Sequence, residues 1–173
     1  MYDLHSILIQ LKKEDTPLHG VMVRCVRCFY QWLDPTLWEG SALFELWAQE
    51  LELIYGDLHQ RLSPNAKTDA GSLGDRFGFD TPPELPRLLQ SIQTFYSVLI
   101  KLIAWNTLRG ATPEPPLTEL LSGRAFVNRG IRNFCGDDWY IWPLDIWDPA
   151  LETQCEDCLL YTSDAADDLT RVD

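Results

Sequence analysis

Apolar residues in the first fifth of the chain recur at intervals of three and four positions, the spacing of one face of an α-helix. Within residues 19–33 they are Val21, Met22, Val23, Cys25, Val26, Phe29, Tyr30, Trp32 and Leu33. We therefore expect a helix with a wide apolar face over this stretch. Residues 1–18 are mixed in polarity, and they fit either a frayed helix or an irregular lead-in.

The same spacing resumes after a break at Asp34-Pro35, where Asp34 can cap a helix that has Pro35 at its first position. The predicted second helix covers residues 35–62, and its apolar positions are Leu43, Phe44, Trp47, Leu51, Ile54, Tyr55 and Leu58. Gly56 either ends this helix or bends it. Residues 63–74 are rich in Ser, Asn, Asp and Gly, so we expect a loop there.

A third, longer helix is predicted to begin at the motif Thr81-Pro82-Pro83-Glu84. This motif has the form of a capping box, in which Thr81 is the N-cap and the Glu84 side chain reaches back to it. Pro82 would then be the first helical residue, a position that proline favours. Pro86 could displace the regular part of the helix further along the chain.

The apolar positions of this third helix indicate that it lies at the centre of the fold. They are Leu88, Leu89, Ile92, Phe95, Tyr96, Leu99, Ile103 and Leu108, and the face is widened by Leu102 and Trp105. Lys101 lies in the same face, where a lysine usually runs its stem along the core and keeps its ammonium at the rim. Gly110 supplies the end of the helix.

Beyond Gly110 the pattern becomes irregular and rich in aromatic residues. Residues 112–116 contain three prolines and predict a stiff linker, and residues 117–121 predict a short helical turn. The longest alternating pattern, over residues 125–134, predicts at most a short extended piece. The expected fold class is mostly α, an irregular helical bundle with long loops and an aromatic-rich C-terminal segment.

The composition fits a folded domain and limits its partners. Hydrophobic residues make up 46% of the chain and charged residues 23%, which is globular rather than disordered composition. The formal charge of −12 disfavours a surface that grips DNA phosphates by itself. No uninterrupted apolar run is long enough to span a bilayer, and residues 1–5 lack the basic flank of a signal peptide. We therefore expect a cytoplasmic protein with no membrane partner.

Residues that could carry chemistry are scattered along the chain. The sequence has no G-x-G-x-x-G or G-x-x-x-x-G-K-[ST] phosphate loop and no G-x-S-x-G nucleophile motif. His5, His19 and His59 lack the spacing of metal ligands and are expected at surfaces or helix ends. Asp137-Asp138 and Asp145…Asp148 could form an acid–base pair or a metal site, but turn and capping roles are favoured. We assign no catalytic, cofactor-binding or metal-binding residue within the chain.

Four cysteines form two pairs, Cys25-x-x-Cys28 and Cys155-x-x-Cys158, a pattern that on its own suggests a zinc site. Residues 158–173, however, resemble the translation of a transposon-type sequencing adapter, so we expect them to be a non-native, disordered tail. Cys158 would then not belong to the natural protein. Cys25 and Cys28 lie in an apolar run without turn residues, where two cysteines on a helix are typically small buried hydrophobic groups.

Three stretches resemble, in order and spacing, the N-terminal helical region of large adenine-specific DNA methyltransferases, the N6-adenine type related to restriction–modification and phage-defence enzymes. The first is Trp47 followed by Leu53-Ile54-Tyr55-Gly56, similar to a W…F…YG helix of that family. The second, residues 94–104, reads TFYSVLIKLIA and is similar to TYYxLLxKLIA. The third, residues 130–142, reads GIRNFCGDDWYIW and is similar to GIxNFxEGDxFxWY. The third stretch is the most specific.

The resemblance implies a domain organisation and an activity for the parent protein. Residues 1–110 would be a helical domain, and residues 111–157 a linker and aromatic segment leading to a catalytic domain that this chain lacks. That domain would bind S-adenosylmethionine on a glycine-rich loop and hold a flipped adenine with an [Asn/Asp]-Pro-Pro-[Tyr/Phe] motif. Thr81-Pro82-Pro83-Glu84 and Glu114-Pro115-Pro116-Leu117 share only the Pro-Pro of that motif. The parent would be an enzyme, and this fragment alone would not.

Three hypotheses follow for the function. In the first, the chain is a scaffolding region whose partners are the catalytic domain of the same protein and, through the parent, DNA. In the second, it is a helical protein–protein interaction module without an enzyme. In the third, it is a small metal-binding protein built on Cys25 and Cys28. Departures from the family pattern at Cys135 and Asp138-Trp139 leave the methyltransferase subfamily open.

Overall fold

In the computed structural model of this chain, residues 4–33, 46, 47, 49, 67–108, 115–132, 134 and 153 are described. Over these residues the protein is mostly α-helical and has no strand, which confirms the predicted fold class. The helices with defined bounds are α1 (Leu4–Lys12), α2 (Pro17–Trp32), α3 (Lys67–Arg76), α4 (Leu85–Leu108), α5 (Leu117–Leu121) and α6 (Arg124–Val127).

Helix α2 confirms the first predicted apolar helix and shows how it begins. Thr16 is its N-cap, because the backbone N–H of His19 donates to Thr16 Oγ1 at 3.3 Å. The Thr16 hydroxyl also lies 2.8 Å from the carbonyl oxygen of Lys13, to which it donates. This threonine therefore closes the turn between α1 and α2. Of the two alternatives for residues 1–18, a helix forms over the bounds of α1.

The core lies where α2 packs against α4, with α1 packed on α2 and α5 packed on both α4 and α6. Burial of each large apolar side chain contributes about 1.5–3 kcal/mol relative to exposure. The buried apolar residues of these helices are Ile7, Leu11, Leu18, Val21, Met22, Cys25, Val26, Phe29, Leu88, Phe95, Val98, Leu99, Leu102, Trp105, Leu117, Leu120, Leu121, Ala125 and Phe126.

The third helix does not begin at the capping box: α4 begins at Leu85, a few residues later, as the alternative based on Pro86 allowed. The carbonyl of Glu84 accepts the first helical hydrogen bond, from Leu88 N–H at 2.9 Å. The N–H of Glu84 donates to the hydroxyl of Tyr30 on α2 at 3.0 Å, so the helix start is held by a neighbouring helix. Pro86 falls in the first turn, where its missing N–H costs nothing.

Tyr30 and Arg87 join the end of α2 to the first turn of α4. The Arg87 guanidinium lies over the Tyr30 ring at 4.3 Å from the ring centroid, a cation–π arrangement. Arg87 Nη2 also donates to the carbonyl of Gln31 at 3.3 Å, near the C-terminus of α2. These contacts set the relative position of the two helices that form the core.

The prediction of a loop over residues 63–74 is wrong where the chain is described, because α3 occupies Lys67–Arg76. Its glycines have low helix propensity, but tertiary packing compensates. A Cβ added at Gly74 would lie only 2.5 Å from Pro83 Cδ, so glycine permits this close approach. Phe77, which is buried, and Phe79 both donate their N–H to the Gly74 carbonyl and close the turn after the helix.

The C-terminal part of the described chain contains one confirmed prediction and one that is wrong. The helical turn predicted over residues 117–121 is α5. The extended piece predicted over residues 125–134 is instead helical at its start, since α6 follows Gly123, whose φ is +78°. Phe126 is fully buried, and it lies in this helix rather than in a strand.

Other sequence predictions lie outside the described residues. These are the Asp34-Pro35 cap, nearly all of the second helix, the stop at Gly110, the aromatic segment beyond Phe134 and the tail over residues 158–173. Residues 46, 47 and 49 are helical, as the second predicted helix requires.

Within the described part of the chain, α4 is the one helix long and apolar enough, by length and composition, to cross a membrane. Its apolar character does not show as an uninterrupted run, because polar residues such as Gln90 and Thr94 interrupt the sequence. Within the apolar window of α4, 56% is buried inside the protein, as expected of the central helix of a bundle. The burial of α4 in the core is therefore enough to explain its apolar composition.

Candidate functional surface on helix α4

Helix α4 has an inner side in the core and an outer side that faces solvent. Its exposed large apolar residues are Tyr96 (40%), Ile100 (54%) and Leu108 (38%). Tyr96 and Leu108 were predicted to be buried, so the buried face is rotated from the expected one and includes Val98 instead. We define the α4 outer face as the exposed residues Tyr96, Ile100, Thr107 and Leu108, together with Ile103 and Ala104, which are partly buried and also pack against the core.

The α4 outer face carries no charged side chain, although the whole chain has a formal charge of −12. The charged residues of α4 are Arg87, which stacks on Tyr30, and Lys101, which is buried. Protein interfaces are depleted of charge at their centres, and contiguous exposed apolar patches mark interaction sites. The chemistry of this face is therefore suited to packing against another apolar surface.

Trp47 bounds this face on the N-terminal side. Its indole N–H donates to Gln93 Oε1 at 2.8 Å, and the Trp47 side chain is almost fully buried. Gln93 immediately precedes residues 94–104. Trp47 of the first family-like stretch therefore contacts α4 immediately before the second stretch.

The third such stretch starts near the other end of α4. The Phe134 ring centroid lies 4.5 Å from that of Phe126, and Phe126 packs edge-on against Trp105 with 5.9 Å between centroids. The guanidinium of Arg129 lies over the Trp105 ring, 5.0 Å from the ring centroid. Trp47 of the first stretch and Phe134 of the third thus lie beyond opposite ends of residues 94–104, Trp47 against Gln93 and Phe134 against Phe126, which contacts Trp105.

Lys101 departs from its prediction, because its ammonium is in the core rather than at the rim. The residue is 3% exposed, and Nζ donates to the Leu121 carbonyl at 2.8 Å. That carbonyl is at the C-terminus of α5, where helical carbonyls lack intrahelical partners. Lys101 satisfies one of them and ties α5 to α4.

Other buried polar groups of α4 were also missed by the apolar pattern. Gln90, Ser91, Thr94 and Asn106 are all buried. The hydroxyl of Ser91 donates to the Arg87 carbonyl, and that of Thr94 to the Gln90 carbonyl, both at 2.8 Å. Such bonds to the preceding turn let short hydroxyl side chains enter an apolar face at little cost.

The remaining candidate residues do not assemble into a reactive site in the described part of the chain. Cys25 is buried on α2 and Cys28 is partly buried, as expected of small hydrophobic groups. His19 lies at the start of α2, a helix end as predicted. No group of three or more His, Cys, Asp and Glu side chains among the described residues could hold a metal ion. His59 and the acidic pairs after residue 136 lie outside those residues.

Comparisons with protein-family models, with curated proteins and with solved structures found no match for this chain.

Proposed function

We propose that this chain is the N-terminal helical region of an adenine-specific DNA methyltransferase and acts as a scaffold that packs against the catalytic domain. The observation that supports this most is the placement of Trp47 and Phe134, from the first and third family-like stretches, near the two ends of residues 94–104, on a helix that also has an uncharged apolar face. Residues 94–104 contribute to both the buried side and the exposed side of α4. Phe95, Val98 and Leu102 are buried in the core, whereas Tyr96 and Ile100 are exposed.

In the parent protein, methyl transfer from S-adenosylmethionine to adenine N6 would be the work of the catalytic domain. The scaffold would hold that domain, and through it the DNA, in place. The acidic charge of the chain agrees with a region that does not itself carry the main phosphate contacts. No residue of this chain is assigned to the cofactor or to the reaction.

Sequencing the source locus downstream of codon 157 tests the proposal directly. We expect a glycine-rich loop after a strand, followed by an [Asn/Asp]-Pro-Pro-[Tyr/Phe] motif. A reading frame that continues without either motif would overturn the assignment. The chain alone should transfer no methyl group from labelled S-adenosylmethionine to DNA.

The role of the α4 outer face is tested in the complete parent protein. Ile100→Glu places a charge at the centre of the face and should weaken the attachment of the catalytic domain, measured as faster proteolytic separation of the two parts. Val127→Glu is the matched control, because Val127 is a similarly exposed apolar residue on α6. Equal protease sensitivity of the two variants would contradict domain packing at this face.

The second candidate is a helical interaction module without an enzyme, and the α4 outer face fits it as well. The two candidates differ in what lies downstream and in what the chain binds. If no catalytic domain follows and residues 1–157 capture an unrelated protein, with capture lost in Ile100→Glu and kept in Val127→Glu, this candidate replaces the first.

A further inference from the structure

We draw no further inference here: the strongest candidate, the uncharged outer face of α4 from Tyr96 to Leu108, is the surface already assigned to domain packing, and nothing in the structure shows what else covers it.

Discussion

Lys101 shows how a single residue can follow a sequence pattern and still occupy an unexpected environment. Its position on α4 correctly predicted that its stem lies among apolar side chains. The position of the ammonium, however, depends on its hydrogen bond to the last carbonyl of α5. This helix is about twenty residues further along the chain. Helical periodicity contains no information on such a long-range partner.

Replacing this ammonium should destabilise the fold. Lys101→Met keeps most of the stem but leaves the Leu121 carbonyl without the lysine donor, so we expect a loss of about 1–2 kcal/mol in the free energy of unfolding. Urea denaturation of the chain measures it. Lys12→Met, at an exposed position on α1, is the control and should change stability by less than about 0.5 kcal/mol. A more stable Lys101→Met would show that the cost of burying the charge exceeds the benefit of the bond.

Replacing Asn106, in contrast, should stabilise the fold. Among the described residues, neither Oδ1 nor Nδ2 of this buried side chain has a hydrogen-bond partner. Burying an amide without partners costs about 1–3 kcal/mol, so Asn106→Leu, which has a similar shape, should raise the free energy of unfolding by about 1 kcal/mol. Urea denaturation again provides the measurement, with Asn128→Leu at an exposed site as the control. A loss of stability would mean that the amide makes a bond in solution.

At the scale of the helices, amphipathic spacing predicted α2, α4 and α5, because each has apolar residues at helical intervals. It failed for α3, whose sequence is polar and contains glycines, and the capping-box motif placed the first turn of α4 too early. Both failures have the same physical cause. The bounds depend on contacts between elements, such as Gly74 with Pro83 and Glu84 with Tyr30, and local propensity is a weak guide when such contacts compensate.

The two glycines of α3 provide a test of this explanation. Gly71→Ala should stabilise the chain by up to about 1 kcal/mol, because nothing lies within 4 Å of the added Cβ and alanine is the better helix former. Gly74→Ala should destabilise it by about 1–3 kcal/mol, because the Cβ would collide with the Pro83 ring. Thermal unfolding followed by circular dichroism compares them. Each variant serves as the control for the other, and equal effects would argue against close packing at Gly74.

At the scale of the whole molecule, the sequence predicted the helical class and the central position of α4, but not which of its faces is covered. The expected buried face placed Tyr96 and Leu108 in the core, because apolar residues surround nearly the whole helix. Periodicity cannot separate a core side from a second apolar side that faces outward. Helices α2 and α5 cover the core side of α4, and Ile100 lies on the side that stays exposed.

The exposure of Ile100 leads to a prediction on the behaviour of the isolated chain. An apolar patch without a partner promotes self-association, so the chain should be poorly soluble. Ile100→Glu should raise the concentration at which it stays monomeric, measured by light scattering after size-exclusion chromatography. The midpoint of thermal unfolding should stay nearly unchanged, because more than half of the Ile100 side chain is already exposed. Leu102→Glu, at a fully buried position on the same helix, should instead unfold the chain. If Ile100→Glu unfolds it as well, the α4 outer face is part of the core and the scaffold proposal loses its docking surface.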